Sequence, residues 1–204
     1  QFDAKYNFID YGHNEFVSNS AHSSVGLSKN THDFKIEFTS PHLIIGSELN
    51  YKQFLPTGLY FTPETDELDL SIYAFHQFKL NNFDLLSSFR VGHLLIEPKL
   101  NSLNFNNLNS GEVKNRNYNY FSSSVGLKKM INKFEINSWI MMTMKAPRVE
   151  ELYSDGPHLG TYAYEIGNPN LRVEKIYGIE NSLSFNNNPY SLSFITFYNY
   201  SPYY

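Results

Sequence analysis

The amino-acid sequence predicts an all-β protein, and three observations lead to that prediction. Aromatic residues make up 17% of the 204 residues, with 17 Phe and 16 Tyr against one Trp, whereas charged residues make up only 18%. Phe and Tyr pack well on the pleated surface of a sheet, whereas long surface helices are rich in Glu, Lys and Ala. Segments with period-two alternation also recur along the chain, separated by Asn, Gly and Pro.

We predict about ten strands, bounded where the alternation meets turn residues. They span residues 2–10, 22–29, 33–40, 43–52, 68–79, 83–97, 118–128, 134–144, 171–186 and 190–200. Several reach the roughly 9 to 11 residues that a tilted strand needs to cross a bilayer. Short connections such as 81–82 alternate with long ones such as 53–67, 98–117 and 145–170. This pattern predicts an antiparallel transmembrane β-barrel segment.

Side chains in two of these strands separate into an apolar set and a polar set. In the strand 134–144 the apolar set is Phe134, Ile136, Ile140, Met142 and Met144. In the strand from Leu171 the polar set is Glu174, Gly178, Glu180, Ser182 and Ser184. A whole strand face of small and polar residues is typical of the water-filled interior of a large barrel. We therefore expect Arg90, Glu174 and Glu180 to face that lumen.

Several classes of protein are excluded by composition and motifs. The net charge of −4 and the scattered Lys and Arg give no basic stripe for nucleic acid. No window approaches the roughly 18 consecutive apolar residues of a membrane-spanning helix. The sequence has no nucleophile elbow and no Gly-rich phosphate loop, so we do not expect an enzyme.

The segment from Lys145 to Glu174 carries the most specific motif of the chain. Pro147 cannot donate to a ladder and should end a strand, after which Glu150 and Glu151 fall in the first turn of a short helix. The turn Gly167-Asn168-Pro169 then directs the chain into the next strand. The motif residues are Ala146, Pro147, Glu151, Leu152, Tyr153, Gly167, Asn168, Pro169, Leu171 and Glu174.

This segment resembles the signature of TonB-dependent outer-membrane receptors. In that signature an aromatic-Arg-Ala-Pro strand end is followed by Glu-Leu-Tyr, a loop and Gly-Asn-Pro-x-Leu-x-x-Glu. Here Met144-Lys145 replaces the aromatic-Arg pair, and Arg148 and Val173 also depart from the usual residues. By resemblance, a complete receptor has an N-terminal plug domain and a barrel of twenty-two strands. We therefore expect residues 1–204 to be a partial receptor barrel domain without the plug.

The resemblance implies a function in the outer membrane of a Gram-negative bacterium. Such a receptor binds a scarce nutrient, such as a metal ion, siderophore or haem, and imports it with energy from the TonB–ExbB–ExbD system acting on the plug. Outer-membrane lipid and lipopolysaccharide would surround the barrel. Arg90, Glu174 and Glu180 would then be candidates to contact the plug.

Two pairs of residues are candidate ligand-binding groups in the extracellular loops: His13 with Glu15, and Asp155 with His158. Imidazole and carboxylate groups suit Zn²⁺, which makes His13 and His158 candidate metal ligands and Zn²⁺ a candidate transported ligand. Residues 10–15, 53–57 and 156–158 also resemble a branch of the family linked to uptake of zinc or other metals. The alternative is that each His is a solvated loop residue.

Two other functions stay open at this point. One is a small self-contained outer-membrane barrel with a structural or adhesive role, and the other is a soluble β-sandwich that binds carbohydrate. The C-terminal residues Tyr198, Tyr200, Tyr203 and Tyr204 predict an aromatic girdle at a membrane interface.

Overall fold

The structure is a computed structural model that describes residues 1–16, 25–58, 60–99, 107–108, 111–158, 160 and 162–202. Nine strands form one antiparallel sheet, and two more form a separate hairpin. The first seven strands are β1 (Phe2–Glu15), β2 (Val25–Thr39), β3 (Leu43–Gly58), β4 (Glu64–Leu80), β5 (Phe83–Lys99), β6 (Arg116–Ile131) and β7 (Phe134–Lys145). Helix α1 (Val149–Tyr153) and the hairpin strands β8 (Asp155–His158) and β9 (Ala163–Ile166) follow, before β10 (Glu174–Asn187) and β11 (Tyr190–Tyr200).

The large sheet is a simple meander in the order β1-β2-β3-β4-β5-β6-β7-β10-β11. Its longest strands, β4 and β5, have 17 residues each, which exceeds the roughly 9 to 11 needed to cross a bilayer. The predicted all-β, antiparallel fold is thereby confirmed. In the described part of the chain β1 and β11 are the two ends of the sheet and do not pair with each other. A single open sheet fits neither a small closed barrel nor a two-sheet sandwich.

The prediction of two strands at 22–29 and 33–40 is wrong, because both belong to β2. The polar residue Asn30 favours a turn by its local chemistry, but ladders run through it to Asp10 of β1 and Gln53 of β3. Strands on both sides provide partners for the backbone groups, and this outweighs the local preference. Residues 22–24 lie outside the described residues. The predicted strand from Leu171 begins only at Glu174.

The two ends of the sheet differ in the length of their connections. Connections 40–42, 81–82, 132–133 and 188–189 are short, whereas 16–24, 59–63, 100–115 and 146–173 are long. The strict alternation agrees with the predicted barrel pattern, and it also places connection 16–24 with the long ones. We call the end of the sheet that carries the long connections the mouth.

The two faces of the sheet differ in chemistry, as period-two alternation predicts. Val125, Ile140 and Ile179 are cross-strand partners on one face, and their side chains are 53%, 68% and 49% exposed. Leu183, on the same face of β10, is 43% exposed. We call this the apolar face. These side chains are not enclosed in a compact core, and an apolar surface of this extent needs apolar surroundings.

Large side chains on the opposite, polar face lie over glycines of the neighbouring strand. A Cβ added to Gly92 would lie 2.2 Å from Cζ of Tyr120, and one added to Gly126 would lie 2.5 Å from Cδ2 of Trp139. Each ring therefore occupies the space that a side chain would take. The position of the ring lets the Tyr120 hydroxyl donate to Oδ1 of Asp69 at 2.7 Å.

A buried core of the molecule sits at the mouth. It consists of Ile96, Val113, Tyr118, Val149, Leu152 and Tyr153. Three of these residues come from α1, so the connection between β7 and β10 folds back onto the ends of β5 and β6. Among the described residues, no helix has both the length and the apolar character to span a membrane.

Candidate functional site

The motif segment after β7 folds as its sequence predicts. Lys145 is the last residue of β7, and Pro147 follows in the break before α1. The carboxylate of Glu151 accepts a hydrogen bond of 2.8 Å from the backbone N–H of Arg148. Glu150 and Glu151 occupy the first turn of the helix, where carboxylates offset the positive end of the dipole. The predicted short helix is confirmed.

The helix is held by burial of its apolar side. Val149 is 1% exposed, and Leu152 and Tyr153 are completely buried. The Tyr153 hydroxyl donates to the backbone oxygen of Lys114 at 2.7 Å, and burial raises the pKa of this phenol. We call this helix and its core contacts the root.

The second half of the motif packs directly on the helix. The N–H of Gly167 donates to the backbone oxygen of Ser154 at 2.7 Å, and that of Asn168 donates to the oxygen of Glu151 at 2.8 Å. A Cβ at Gly167 would lie 2.6 Å from the carbonyl carbon of Leu152, so this position requires glycine. The two halves of the motif, distant in the chain, therefore form one structural unit.

The connection between β7 and β10 reaches across the mouth, and we call residues 146–173 the strap; positions 159 and 161 lie outside the described residues. The N–H of Asp155 donates to the backbone oxygen of Phe61 at 2.8 Å, and the hydroxyls of Ser154 and Thr62 are 3.0 Å apart. The strap thus contacts the connection between β3 and β4. It holds several connections of the mouth in one arrangement.

Asp155, a predicted ligand-binding residue, is buried and joins the strap to the connection between β5 and β6. Its carboxylate accepts hydrogen bonds from the N–H of Asn107 at 2.7 Å, the amide side chain of Asn107 at 2.8 Å and the N–H of Leu108 at 3.0 Å. The Tyr164 hydroxyl donates to it at 3.2 Å. These contacts assign Asp155 a structural part in the mouth, while its ligand-binding role stays a prediction.

The other three predicted ligand-binding residues meet in one cluster at the mouth. Oε1 of Glu15 lies 3.5 Å from Nε2 of His13 and 3.4 Å from Nε2 of His158. Nδ1 of His158 lies 2.6 Å from Oε1 of Glu165, on the neighbouring strand of the hairpin. We call these four side chains the clasp. The predicted pairing of His158 with Asp155 is thus replaced by contacts to Glu165 and Glu15.

Charge explains how the clasp is held. The side chain of Glu15 is only 12% exposed, and its Oε2 is buried with no hydrogen-bond partner in the described part of the chain. The carboxylate of Glu165, and then that of Glu15, raise the pKa of His158 above the ordinary value for histidine.

Within the described ranges no three His, Asp or Glu side chains form a group that could hold a metal ion. The metal-ligand role of His13 and His158 stays a prediction.

The polar face below the mouth carries the residues predicted to face the lumen. The register from Glu180 through Trp139 and Gly126 to Leu86 puts Glu180 on the same face as Arg90 of β5. Glu174 shares that face with Glu180 because the two are six residues apart in β10. The shared face agrees with the prediction, while contact with a plug stays a prediction.

Arg90, Glu174 and Glu180 differ in their ion-pair partners. Nη2 of Arg90 lies 2.9 Å from Oε2 of Glu48, so this cation is neutralised within the sheet. Glu174 and Glu180 have no ion pair within the part of the chain that the structure describes. Glu180 instead lines a hollow of about 340 Å³ together with Trp139 and serine side chains of β6.

A second cavity lies between the root and the polar face. It has a volume of about 220 Å³, and its charged and hydroxyl-bearing lining residues are Lys52, Glu67, Asp69, Tyr120 and Arg148. Sequence reasoning singled out Arg148 only as a departure from the motif and missed the other four. Their positions on the polar face follow from alternation, which was the available signal. Alternation does not predict that these residues line one cavity beneath the strap, because that depends on the path of the strap in the folded protein.

Two of the four tyrosines of the predicted girdle lie in the described part of the chain. Tyr198 and Tyr200 are on the apolar face of β11, 66% and 53% exposed, and the girdle stays a prediction. Tyr203 and Tyr204 lie outside the described residues.

Comparison with known proteins agrees with the fold and with the motif. A family model described as "TonB dependent receptor-like, beta-barrel" matches residues 1–201. No curated protein matches the chain. The family match extends over nearly the whole chain and includes both the sheet and the strap. The chain therefore belongs to the TonB-dependent receptor family, as part of its β-barrel domain.

Proposed function

We propose that this protein binds a scarce nutrient at the mouth and imports it across the outer membrane with energy delivered by TonB, ExbB and ExbD. The cargo belongs to the classes that the family resemblance implies, among them a metal ion, a siderophore or haem. One observation supports the proposal: the sheet has long strands, and it has an exposed apolar face and a charged polar face. One face meets lipid, and the other lines an aqueous path.

The geometry of the sheet supports a larger barrel. Its nine strands are open at β1 and β11 in the described part of the chain, and unpaired strand edges are not tolerated in a hydrocarbon environment. We propose that further strands continue the sheet from both edges and that a plug occupies the lumen. Glu180, which has no ion pair in the described part of the chain, is the better candidate for a plug contact, since Arg90 is already neutralised by Glu48.

The mouth supports binding by its shape and polarity. The cavity beneath the root has charged groups of both signs on its wall, with Nζ of Lys52 3.1 Å from Oε2 of Glu67. A metal ion, or one end of a larger cargo, held there would lie between the strap and the polar face. The carboxylates and imidazoles of the clasp lie at the same end of the sheet.

The experiment compares binding with uptake in cells that carry the receptor. Labelled ferric siderophore, haem and Zn²⁺ are supplied separately to cells with and without the gene, in the presence or absence of a protonophore. The proposal expects one cargo whose binding persists but whose accumulation stops when the proton gradient collapses. Accumulation that continues without the gradient would contradict the energised mechanism.

Site variants then locate the binding groups in the same cells. Replacing Asp155 and His158 by alanine should weaken binding of that cargo, as the sequence predicts for these positions. Glu150→Ala is the matched control, because Glu150 is in the strap but outside the clasp. Unchanged binding in the variants would exclude a role for the two residues in cargo recognition.

A further inference from the structure

We propose that the apolar face carries a binding site for one anionic phospholipid at the end with the short connections, and that Lys129 contacts its phosphate. The site consists of Lys129, the connections 81–82 and 132–133 and the apolar side chains around them, and we call it the lipid site. The proposal rests on the proposed function only in placing the apolar face in the outer membrane with the short connections towards the periplasm. Cargo and TonB play no part in it.

Lys129 is a cation on the apolar face. It lies in β6 between Leu127 and Ile131 of the same face, which are 49% and 45% exposed. Its partner across the sheet is Ile136 of β7, whose own partner is Leu183 of β10. Among the described residues, no other Asp, Glu, Lys or Arg lies on this face of β6 or β7. The surroundings of Lys129 on this face are therefore apolar.

The ammonium group of Lys129 has no counterion in the described part of the chain. The side chain is exposed, and it makes no ion pair or hydrogen bond with those residues. A bare charge is costly beside acyl chains, so a lysine in such a place extends its stem towards the headgroups. Lys129 is two residues from the end of β6, which is roughly 5 Å of depth for a tilted strand. Its four-carbon stem can therefore bring the ammonium group to the phosphates.

The short connections next to this lysine border an open hollow of about 580 Å³. Asn81, Asn82 and Asn132 line it, and amide groups are hydrogen-bond donors that suit phosphate oxygens. Phe83 and Ile131, which are 40% and 45% exposed, line it on the apolar face. The hollow thus offers donors for a headgroup beside apolar surface for acyl chains.

The other charged side chains at the hollow have partners on the polar face. Nζ of Lys128 lies 2.8 Å from Oε2 of Glu135, and Oδ2 of Asp84 accepts a hydrogen bond of 2.9 Å from the side-chain amide of Gln77. These contacts lie on the opposite side of the sheet from Lys129. In the described part of the chain, the lipid side of the hollow thus carries one uncompensated positive charge. A headgroup with net negative charge complements it better than a zwitterionic one.

The end of the sheet at which the lipid site lies decides between the two lipids of an outer membrane. The short connections of such barrels face the periplasm. The leaflet on that side consists of phospholipids, whereas lipopolysaccharide occupies the other leaflet. The ligand is therefore a phospholipid. Leu127 and Val125, 49% and 53% exposed, continue the apolar face above Lys129 and would lie against its acyl chains.

The test measures which lipid lies next to two points of the apolar face. This chain contains no cysteine, so a fluorophore can be attached at Leu85→Cys or at Ile36→Cys. Leu85 is the cross-strand partner of Leu127 and lies beside the lipid site. Ile36 is at the same end of the sheet on β2, and its cross-strand partners Ala4 and Ser47 carry no charge. The purified receptor is placed in vesicles of phosphatidylcholine and phosphatidylglycerol, one of which has brominated acyl chains that quench the fluorophore on contact.

At Leu85→Cys we expect phosphatidylglycerol to be preferred over phosphatidylcholine about fivefold, because a lysine near the membrane surface attracts an anionic lipid with about that strength. At Ile36→Cys we expect no preference. Lys129→Gln should abolish the preference at Leu85→Cys. Lys79→Gln is the matched control and should leave it intact, because Lys79 is a cation at the same end of the sheet but on the polar face. A preference that survives Lys129→Gln, that is lost equally in Lys79→Gln, or that is the same at both label positions would overturn the proposal.

A second measurement keeps Lys129, so that misfolding of its variant cannot decide the result. Raising the ionic strength from about 0.01 M to about 1 M shortens the Debye length from about 30 Å to about 3 Å, and the preference at Leu85→Cys should fall towards one. A preference that does not change with salt would overturn the proposal.

Quenching by brominated phosphatidylcholine at both positions tests separately whether the apolar face meets lipid. Quenching without a lipid preference at Leu85→Cys would refute the lipid site alone. No quenching at either position would refute the lipid site together with the membrane placement in the proposed function. The two failures are therefore distinguishable.

Discussion

Alanine at Gly92 is expected to destabilise the sheet strongly, whereas alanine at Gly12 is not. The added Cβ at position 92 would lie 2.2 Å from Cζ and 2.3 Å from Oη of Tyr120, so the ring must move. Nothing lies within 4 Å of a Cβ at position 12, which makes it the matched control. Both glycines are in strands of the same sheet.

The magnitude follows from the contacts that the ring loses. Forcing extra volume into a packed site costs typically about 1–3 kcal/mol. Moving the ring also breaks the hydrogen bond of 2.7 Å from the Tyr120 hydroxyl to Asp69, and a bond to a charged group contributes about 1.5–3 kcal/mol. Alanine recovers about 0.5–1 kcal/mol of backbone entropy relative to glycine. We expect Gly92→Ala to lower the free energy of unfolding by about 2–4 kcal/mol, and Gly12→Ala to leave it unchanged or slightly raised.

The assay is urea unfolding of the receptor in detergent or lipid, with the folded fraction measured by the different gel mobility of folded and unfolded barrels. A double-mutant cycle isolates the cause. In a Tyr120→Ala background the ring is gone, so Gly92→Ala should cost no more than Gly12→Ala does. Equal effects of Gly92→Ala and Gly12→Ala in the unaltered background would refute the reasoning, because the ring would then not occupy the space above the glycine.

Three further predictions concern the strap. Leu152→Ala removes a fully buried side chain and should destabilise the root by about 2–5 kcal/mol, seen as faster hydrogen exchange of α1 with the sheet amides unchanged. Asp155→Ala removes the acceptor of the Asn107 and Leu108 amides, so exchange of those two amides should speed up, while Asp155→Asn should have a smaller effect. The pKa of His158 is raised in the folded state, so its stabilising contribution is complete below about pH 6.5 and is lost as the pH rises through the raised pKa. Histidine ring resonances of the labelled receptor would check this sign, and a His158 that titrates below the ordinary range would contradict it.

Local backbone geometry explains why the faces of the sheet could be predicted. Successive side chains of a strand point to opposite sides, so the position of Ile140 or Glu180 follows from counting along the chain. The end of β7 just before Pro147 and the short helix after it were predictable for the same reason, because proline and first-turn carboxylates act within a few residues. The predicted separation of the strands 22–29 and 33–40 was wrong because pairing on both sides overrides a local turn preference.

The contacts of the clasp could not be predicted from the sequence. His13 and Glu15 are close in the chain, but their meeting with His158 depends on the strap crossing the mouth, which burial of the root decides. Asp155 and His158 are near each other in the chain and were predicted as a pair, yet the hairpin gives them different partners. Contacts between distant connections depend on the whole arrangement of the sheet.

The sequence by itself therefore determined that the chain forms long strands with one apolar face and one polar face, and it also carried the motif of the family. Only the tertiary structure decided which charged groups of the mouth meet. Alternation and turn chemistry arise within a few neighbouring residues, and any chain with that pattern shows them. The clasp instead requires that the sheet first bring β1, β7 and β10 to one mouth and that a buried helix then direct the strap across it.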